Sequence, residues 1–566
     1  MATLCKKRCR GHSYWQIVEC RRINGKPRPI VLMHLGTADT LLRRLQEEPS
    51  KPKTAKILEF GALSALWNIT EELCVVETID KHAPKREQGL SCGQYMLLAA
   101  LNRCVEASSK SSLYEWYRKT VLYRLLPTSR RSLMSQRFWD HMSSLNENII
   151  NRIEEDFARR LVDHFHIDLH TLLFDATNFD TYIDTQTLCS LAQRGHAKSK
   201  RKDLRIIGLA LMVSTDFHVP LFSHLYPGNQ NDSKTFKSAI GSLVERYKIF
   251  AQQCQDITLI YDGGNNSNEN ASLMDKSKYH FVTSLTITHH NDLLSISLRR
   301  FRPLKGARLK GVLAYRTSKV IWGNERTVIV TRSPQLLSGQ IAGIISALKK
   351  KRSKLHELRA KLLHSQKPNV RGKGYTRQSL QKQLDTIISG QYTSEILKVK
   401  IIQSKRKLDF TFYTDQTSSN NLKRYRLGKR ILCTDNHNWT TEEIVLASRS
   451  QFHVENAFKQ MKDPHWVSFS PAFHWTDQKL RVHAFYCVLA LTMSALLQRK
   501  AAQAGIDLTV PELLKTLSEV HEVVNLYMPV TTSGHGRFRA EFVLSKRSYL
   551  QERLCRLFDI HKHCHS

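Results

Sequence analysis

The sequence predicts an α/β protein built on a mixed β-sheet with flanking helices. Short apolar runs at residues 172–174 and 257–261 are bounded by polar residues, which is typical of strands buried on both faces. Stretches with helical periodicity alternate with such runs. With 566 residues, of which 41% are hydrophobic, the chain can bury large cores, and its length suggests about three domains.

Residues 166–287 contain five predicted strands, and their order narrows the fold class. The strands are predicted at residues 170–175, 204–214, 219–226, 257–261 and 279–285. A helix with Asp232 as its N-cap is predicted to run to about residue 249, and a second helix covers residues 268–276. Three consecutive strands followed by alternating helices and strands are the order of the RNase H-like fold.

Two of the apolar runs end in an aspartate, Asp175 and Asp262. An acid at the end of a buried strand lies at the rim of the sheet, where ligands of α/β folds bind. If the two strands are neighbours, their carboxylates converge. Close carboxylates repel each other and need a positive partner, usually a divalent metal ion. The two aspartates are therefore candidate metal ligands.

A third acid, Glu455, lies on a predicted helix far downstream. Its spacing from Phe458 and Lys462 places the three residues on one helix face. An acid and a cation on one face can hold a metal ion and a phosphate together. Taken alone, Glu455 and Lys462 are an ordinary solvated pair; taken with the two aspartates, they indicate a metal site.

The charge of the chain favours a nucleic-acid partner. The 86 Lys and Arg residues exceed the 50 Asp and Glu residues, which gives a net charge of +36 and a pI of about 9.8. Such an excess strengthens binding to polyanions, although a merely basic surface is the alternative. Three convergent acids in such a chain predict metal-dependent cutting of DNA or RNA.

Clusters of basic residues are the candidate DNA contacts. The segment 194–202 beside the Asp175 strand is predicted to contact phosphates, the alternative being a solvated loop. A basic helical stretch at residues 340–365 is either a clamp over DNA, with four phosphate contacts, or a solvated arm. The assigned residues are Arg194, His196, Lys198, Lys200 and Arg201 in the loop, Lys349, Lys350, Lys351 and Arg352 in the arm, and Lys459 on the Glu455 helix.

The chain divides into five predicted regions. They are a β-hairpin and helix at 1–50, with a turn at Asn24-Gly25; a helical DNA-binding region at 51–165; the first part of the catalytic core at 166–287; an insertion with strand-like pieces and the basic arm at 288–430; and a largely helical completion of the core at 431–566. In the second region, arginines at 130, 131, 137 and 152 fit either a helix-turn-helix that binds DNA or a bundle that packs on the core.

Other kinds of site fit the sequence poorly. Cys5, Cys9, His12 and Cys20 match no common zinc-finger spacing. The apolar stretch 482–497 is too short to cross a bilayer and is predicted to be a buried core helix. No Gly-x-x-x-x-Gly-Lys loop is present, so no nucleotide cofactor is expected. Twelve scattered cysteines and no visible secretory signal predict a cytoplasmic protein with reduced thiols.

These motifs together resemble the insertion-sequence transposases of the DDE superfamily, in the subgroup with a β-rich insertion inside an RNase H-like core. The resemblance covers most of the chain. Its carriers are residues 174–178 (Phe-Asp-Ala-Thr-Asn), 193–198 (Gln-Arg-Gly-His-Ala-Lys), 227–234 (Pro-Gly-Asn-Gln-Asn-Asp-Ser-Lys), 260–264 (Ile-Tyr-Asp-Gly-Gly) and 454–462, together with the N-terminal hairpin ending Leu35-Gly36.

This chain departs from the signature of the family at two positions. The signature has a Tyr, two residues, an Arg, three residues, a Glu, six residues and a Lys. Glu455 and Lys462 fit the last two positions, whereas Ser448 and Gln451 occupy the Tyr and Arg positions. Arg449 is expected to contact DNA in place of the missing arginine. The metal site is unaffected by these departures.

The resemblance implies a Mg²⁺-dependent transposase whose catalytic acids are Asp175, Asp262 and Glu455. Asp175 would bridge two ions roughly 4 Å apart, and each of the other acids would hold one; Mn²⁺ is expected to substitute. The enzyme would bind the terminal inverted repeats, nick the ends and join the freed 3′-OH to target DNA.

The resemblance also implies a homodimer acting on double-stranded DNA in the prokaryotic cytoplasm, associated with the nucleoid, with no membrane partner. Two other functions stay open: a catalytically silent DNA-binding relic or repressor, and a plain metal nuclease. The intact acid triad argues against the relic, and the departures at Ser448 and Gln451 argue mildly for it.

Overall fold

The structure, a computed structural model of the chain, describes residues 2–9, 11–23, 26–46, 52–85, 89–184, 186–246, 256–367, 374–404, 407–527 and 539–565. The chain forms two units, one of residues 1–65, 115–127 and 515–566, the other of residues 66–114 and 128–514. Helices and strands are numbered in chain order. The five-region division stays a prediction.

The smaller unit begins with a three-stranded antiparallel sheet. It contains β1 (Ala2–Cys9), β2 (His12–Ile23) and β3 (Lys26–Thr37), and helix α1 (Ala38–Gln46) follows. Pairing of β2 with β3 confirms the predicted hairpin, and its predicted turn at Asn24-Gly25 lies outside the described residues. The hairpin prediction missed β1, because the consecutive basic residues Lys6, Lys7 and Arg8 interrupt the alternation of apolar and polar residues that is typical of a strand.

A second three-stranded sheet in the smaller unit bears on two predictions. It joins β4 (Thr54–Glu59) to β16 (His521–Tyr527), which also pairs with β17 (Arg539–Leu544). The sequence predicts helix from about residue 55 and a largely helical C-terminal region. The first prediction is wrong at β4, because this strand is stabilised by pairing with β16, a segment more than 450 residues away that local periodicity does not reveal. The C-terminal region is largely helical but also contains the strands β16 and β17.

Helices precede the large sheet, as predicted for residues 61–165. They are α2 (Gly61–Glu72), α3 (Val75–His82), α4 (Cys92–Val105), α5 (Leu113–Tyr117), α6 (Leu122–Leu125), α7 (Ser135–Ser144) and α8 (Glu147–Asp163). Helix α4 begins with a capping box in which Ser91 and Gln94 each bond to the other's backbone N–H.

A nine-stranded mixed sheet organises the larger unit. Its first five strands in the chain are β5 (Thr171–Thr181), β6 (Arg205–Ser214), β7 (Pro220–Pro227), β8 (Thr258–Tyr261) and β9 (His280–Leu285), with helices α9 (Asp232–Arg246) and α10 (Asn268–Lys276) between them and α11 (Asn291–Leu294) after them. Strands β5 to β7 are antiparallel, β8 lies parallel to β5, and β9 lies parallel to β8. This order confirms the predicted RNase H-like core.

The sheet continues through strands that the sequence places in the insertion. After β9 the order continues through β15 (Lys429–Thr434), β12 (Asn324–Arg332), β11 (Leu313–Ile321) and β10 (Arg302–Pro303). Between β12 and β15, the described residues of the segment 333–428 lie outside the sheet. That segment, which we call the arm, contains α12 (Pro334–Ser365), α13 (Arg377–Ile388), α14 (Thr393–Ile396), β13 (Leu397–Ser404), β14 (Lys407–Thr414) and α15 (Gln416–Asn421).

The remaining helices are α16 (Thr441–Arg449), α17 (Phe452–Met461), α18 (Asp477–Gln503), α19 (Val510–Ser518) and α20 (Tyr549–Leu557). Helix α18 is the one helix among the described residues that is long and apolar enough to cross a membrane, and 94% of its apolar window is buried inside the protein. The prediction of a buried core helix at residues 482–497 is confirmed.

Candidate active site

Asp175 and Asp262 lie side by side on neighbouring strands. The parallel register of β5 and β8 pairs Phe174 with Tyr261, so the two aspartates follow at the same level of the sheet. Adjacent strands lie about 4.8 Å apart, which places the two backbones within one strand spacing. The condition stated from the sequence, that the two strands are neighbours, is therefore met.

Asp175 does not end its strand, contrary to the sequence prediction. Strand β5 continues to Thr181 and pairs with β6 along its whole length. The strand that ends is β8, whose last residue is Tyr261. The polar residues after Asp175 resemble a turn in sequence, but pairing with the apolar β6 keeps them extended.

Glu455 lies in the first turn of α17, which packs against β5 and β6. The buried side of this helix, including Val454, Ala457 and Met461, holds it on the sheet, and Glu455 itself is exposed. Helix α16, which begins with a capping box between Thr440 and Glu443, precedes it and packs against β8 and β9. These contacts bring a distant segment of the chain to the two aspartates.

The electrostatics of Asp175 reflect this convergence. The pKa of Asp175 is raised from 3.8 to about 6, chiefly by burial and in smaller part by the negative charges of Asp262 and Glu455. The Lys198 ammonium and the backbone N–H of Ala176 act in the opposite direction. The charges of Asp262 and Glu455 therefore both act on Asp175, and a cation placed beside Asp175 would relieve this repulsion.

Two lysines flank the acids. Lys462, the residue that caps the C-terminus of α17, donates a hydrogen bond from Nζ to Thr177 Oγ1 at 2.7 Å. Lys198 Nζ donates to the carbonyl of Ala176 at 2.7 Å. Burial and the charge of Lys198 lower the pKa of Lys462, while Asp175 raises it. The predicted pairing of Lys462 with the acid site is thus present in the structure.

Several residues that fix this geometry were missed in sequence reasoning. Ser284 on β9 donates from Oγ to Asp262 Oδ1 at 3.2 Å, and Gly263 N–H donates to the same oxygen at 2.8 Å. Thr177 receives the Lys462 ammonium. The two-residue period of β5 predicts that Thr177 shares a face with Asp175, whereas no sequence signal places Ser284 beside Asp262.

The basic loop 194–202 runs along β5. Asn178 accepts from the backbone N–H of Lys198 at 3.0 Å and donates from Nδ2 to the carbonyl of His196 at 2.9 Å. Ser199 Oγ donates to Asp180 at 2.9 Å. Arg201 forms a double hydrogen bond with Asp203 at 2.8 and 2.5 Å. The side chains of Arg194, His196 and Lys200 are exposed.

The arm uses part of its basic run internally. Lys351 Nζ donates to the carbonyl of Ile387 at 2.8 Å and also to that of Ser389, so it caps the end of α13. Arg352 donates to Thr414 Oγ1 on β14. Lys349 and Lys350 are exposed. The sequence assigned all four residues to phosphates. Lys351 and Arg352 also contact other parts of the arm, although Arg352, like Lys349 and Lys350, is exposed.

Replacing Lys349 and Lys350 by Ala should therefore make the slope of log K against log[salt] less negative by about two, where K is the DNA-binding constant. Each phosphate contact contributes about −0.9 to that slope. Replacing Lys351 and Arg352 should change that slope much less and should lower the melting temperature of the protein instead. Filter binding at several salt concentrations and a thermal melt measure the two effects. An unchanged slope in the Lys349 and Lys350 variant would identify the run as a solvated surface.

The structure shows the surroundings of the two residues that differ from the family signature and of the basic residues near them. Ser448 is buried in α16, and Gln451 is the residue before the first turn of α17. Arg449 donates from its guanidinium to the carbonyl of Arg308, and Lys459 is exposed on α17. Arg449 is therefore engaged within the protein, and its predicted contact with DNA requires that this bond be exchanged.

The donor set suits a hard divalent cation. Carboxylate oxygens are the ligands that Mg²⁺ prefers, and Mg²⁺ is usually held by one or two carboxylates together with waters and substrate phosphates. Among the described residues, no group of three His, Cys, Asp or Glu side chains is arranged so that it could hold a metal ion. Carboxylates at this edge of the sheet fit an ion whose remaining ligands come from waters and substrate, and the raised pKa of Asp175 is a shift that a nearby cation would oppose.

Metal affinity should depend on pH in a defined direction. Because the pKa of Asp175 is raised to about 6, this carboxyl is protonated below that pH and must lose its proton to bind metal. We expect Mn²⁺ affinity to rise by up to about tenfold per pH unit below pH 6 and to level off above pH 7. Isothermal titration between pH 5 and 8 measures this; an affinity that falls as pH rises would contradict the assignment.

A family described as "Transposase DDE domain" matches residues 166–491, which is more than half of the chain. The comparison with curated proteins found no match. A solved structure, a piggyBac transposase synaptic complex with hairpin DNA, is similar over 82% of this chain and 82% of that chain, with 9% identity and a TM-score of 0.36.

The sheet order, with one acid on β5 and the other directly after β8, is that of an RNase H-like core. The chain belongs to the DDE transposase family.

Proposed function

We propose that the protein is a Mg²⁺-dependent DNA transposase that binds the terminal inverted repeats of an insertion sequence, nicks their ends and joins the 3′-OH to target DNA. The observation that carries the proposal is the position of Asp175 and Asp262 at one level of adjacent parallel strands, with the charge of Glu455 acting on the same point. Such a cluster in a chain of net charge +36 supports chemistry on a polyanion.

The chain's own residues account for the parts that phosphoryl transfer needs. Magnesium ions, when bound, supply Lewis-acid stabilisation of the charge that develops on the attacking and leaving oxygens. Asp175, Asp262 and Glu455 would hold them, and Ser284 keeps the Asp262 carboxylate oriented. No covalent protein intermediate and no nucleotide cofactor are required.

The flanking lysines would bind the DNA backbone. Lys462 and Lys198 place ammonium groups within two residues of Asp175 on β5. Phosphates on either side of the scissile bond would exchange for the Thr177 hydroxyl and the Ala176 carbonyl that these ammonium groups now contact. The exposed residues of loop 194–202 and of the arm would extend the contact along the duplex.

The functional unit in this proposal is a homodimer, each subunit acting on one element end, in the prokaryotic cytoplasm near the nucleoid. The second candidate is a DNA-binding relic or repressor. The observation that favours it is the replacement of two signature residues by Ser448 and Gln451.

A strand-transfer assay separates the candidates. A labelled duplex carrying the inverted repeat found beside the gene, with a free 3′-OH, is incubated with supercoiled plasmid and Mg²⁺. Joined product supports a transposase, and a 3′-dideoxy end should give none. Nicking without joining in wild-type protein would identify a nuclease, and binding alone would identify a repressor; Asp262→Asn protein is the matched inactive control.

A further inference from the structure

Three large aromatic side chains lie exposed on two loops of the larger unit. Trp475 is 69% exposed, Phe473 51% and Tyr182 45%. The loops are tied together by a hydrogen bond from Tyr182 N–H to the carbonyl of Ala472 at 2.9 Å and by one from Thr187 Oγ1 to the carbonyl of Trp475 at 3.3 Å. The rings of Tyr182 and Phe473 lie 5.8 Å apart. We call these three residues the aromatic patch.

The backbone beneath the aromatic patch is firmly held. Arg103, which is 3% exposed, donates to the carbonyl of Ser470 at 2.9 Å, and His483, which is fully buried, is bonded through Nε2 to the carbonyl of Phe469 at 2.7 Å. A loop anchored in this way presents its side chains in fixed positions. Ordering them for a ligand therefore costs little conformational entropy.

The patch continues the surface that carries the basic loop. Successive alternate residues of β5 hold that loop: Asn178 bonds to Lys198 and His196, and Asp180 bonds to Ser199. Tyr182 is the next residue at the same two-residue spacing. The charge of Arg201 interacts with both Tyr182 and Asp180. The aromatic rings and the basic loop therefore lie on one side of the strand.

The acids near the patch are already engaged with the protein. Each accepts hydrogen bonds: Asp180 from Ser199, Asp184 from Gln186 N–H, Asp203 from Arg201, and Asp477 from Ser190 and Leu191 N–H. Basic side chains at 198, 200 and 202 face the same loop region, and Lys479 follows in the first turn of α18. Aromatic rings bordered by cations form a surface suited to nucleic-acid strands.

We propose that the aromatic patch binds unpaired bases of a DNA strand that leaves the active site. Base stacking on aromatic rings tolerates any sequence, because every base has a π-face. Tyr182 directly follows β5, seven positions and roughly 23 Å along the strand direction from Asp175, and this odd spacing places the two side chains on opposite faces of the strand. Up to about seven nucleotides at 3.4 Å each would span that path. The inference rests on the proposed function, since it places the patch on the path of the DNA substrate.

The test uses full-length protein, EDTA to prevent cleavage, and three fluorescent DNAs. They are the inverted-repeat duplex, the same duplex with an eight-nucleotide single-stranded tail, and the duplex with an abasic tail, which keeps the phosphates but lacks the bases. We expect the wild type to bind the base-bearing tail at least about fivefold more tightly than the abasic tail. Trp475→Ala and Phe473→Ala should lose that preference and keep wild-type affinity for the duplex.

Two controls accompany these variants. Tyr549→Ala removes an aromatic side chain that is 82% exposed on α20 and should keep the preference, and Trp475→Phe should keep most of it. Equal binding of the two tails by the wild type, or an unaltered preference in Trp475→Ala, would overturn the inference. The inference would also be overturned if Trp475→Ala protein kept the tail preference but sedimented at a lower mass than the wild type. That result would identify the aromatic patch as a protein–protein interface. Failure of wild-type protein to bind the duplex would count against the proposed function instead.

Discussion

Asp175→Asn and Asp262→Asn are each expected to abolish Mg²⁺-dependent nicking while leaving affinity for the element ends unchanged. Asparagine keeps the shape of the side chain but removes the negative charge that a divalent cation requires. Asp175 lies on a paired strand of the core and Asp262 directly follows one, so the variants should fold. Nicking of a labelled inverted-repeat duplex and a binding titration in EDTA measure the two properties. Appreciable nicking by either variant would contradict the assignment of these aspartates as metal ligands.

The Asp175 variant should also show a stability change of a definite sign. The pKa of this carboxyl is raised in the folded state, so the native protein binds more protons than the unfolded chain between about pH 4 and pH 6. Stability due to this group therefore falls as pH rises through that window. Above it, Asp175→Asn should stabilise the metal-free protein by on the order of 1–3 kcal/mol.

Asp203 serves as a matched control, because its pKa is shifted in the opposite direction to that of Asp175. Asp203 has a pKa lowered to about 2, first by its hydrogen bond with Arg201, so Asp203→Asn should not stabilise the protein at pH 8. Urea unfolding at pH 8 without metal compares the variants. A destabilised Asp175→Asn protein would mean that this carboxylate has a structural partner rather than a missing cation.

Lys462→Ala is expected to slow both nicking and joining by roughly a hundredfold, because a phosphate beside the scissile bond would be held less closely. The ammonium now donates to Thr177, two residues from Asp175, and it contacts no metal ligand directly. Mg²⁺ affinity should consequently change little. Lys462→Arg should recover only part of the rate, since a planar fork replaces a compact point charge.

Lys459→Ala is the control for Lys462, since it removes the same charge from an exposed position one turn earlier on α17. It should weaken DNA binding slightly and leave the rate with bound DNA unchanged. Rates are measured over a Mg²⁺ titration with saturating DNA. Full rescue of Lys462→Ala by added Mg²⁺, or equal rates for the two variants, would mean that Lys462 is an ordinary solvated lysine and does not hold a phosphate.

The sequence was most informative where the signal was local. The apolar strands before Asp175 and Asp262, and the capping box that begins α16, are encoded within short windows, and the strand order followed from them. The condition on which the convergence of the two aspartates depended, that their strands are neighbours, holds in the structure, since the RNase H-like order leaves few arrangements for a parallel pair.

Features that depend on distant pairing were outside the reach of local patterns. β5 extends past Asp175 only because β6 pairs with its polar half, and β4 forms a strand only because β16 lies beside it. The roles of Lys351 and Arg352 depend on helix and hairpin ends in the folded arm. A charge run has the same appearance in sequence whether its side chains face DNA or neighbouring carbonyls.

The central claim is that Asp175, Asp262 and Glu455 hold a divalent cation together. Iron-mediated cleavage tests it most directly: Fe²⁺ replaces Mg²⁺ in the protein–DNA complex, and ascorbate with peroxide then generates radicals that cut the backbone near the bound ion. The account predicts cuts beside residues 175, 262 and 455 together, suppressed by excess Mg²⁺ and absent in Asp175→Asn. Cuts confined to other segments, or cuts at these three that persist in Asp175→Asn, would contradict it.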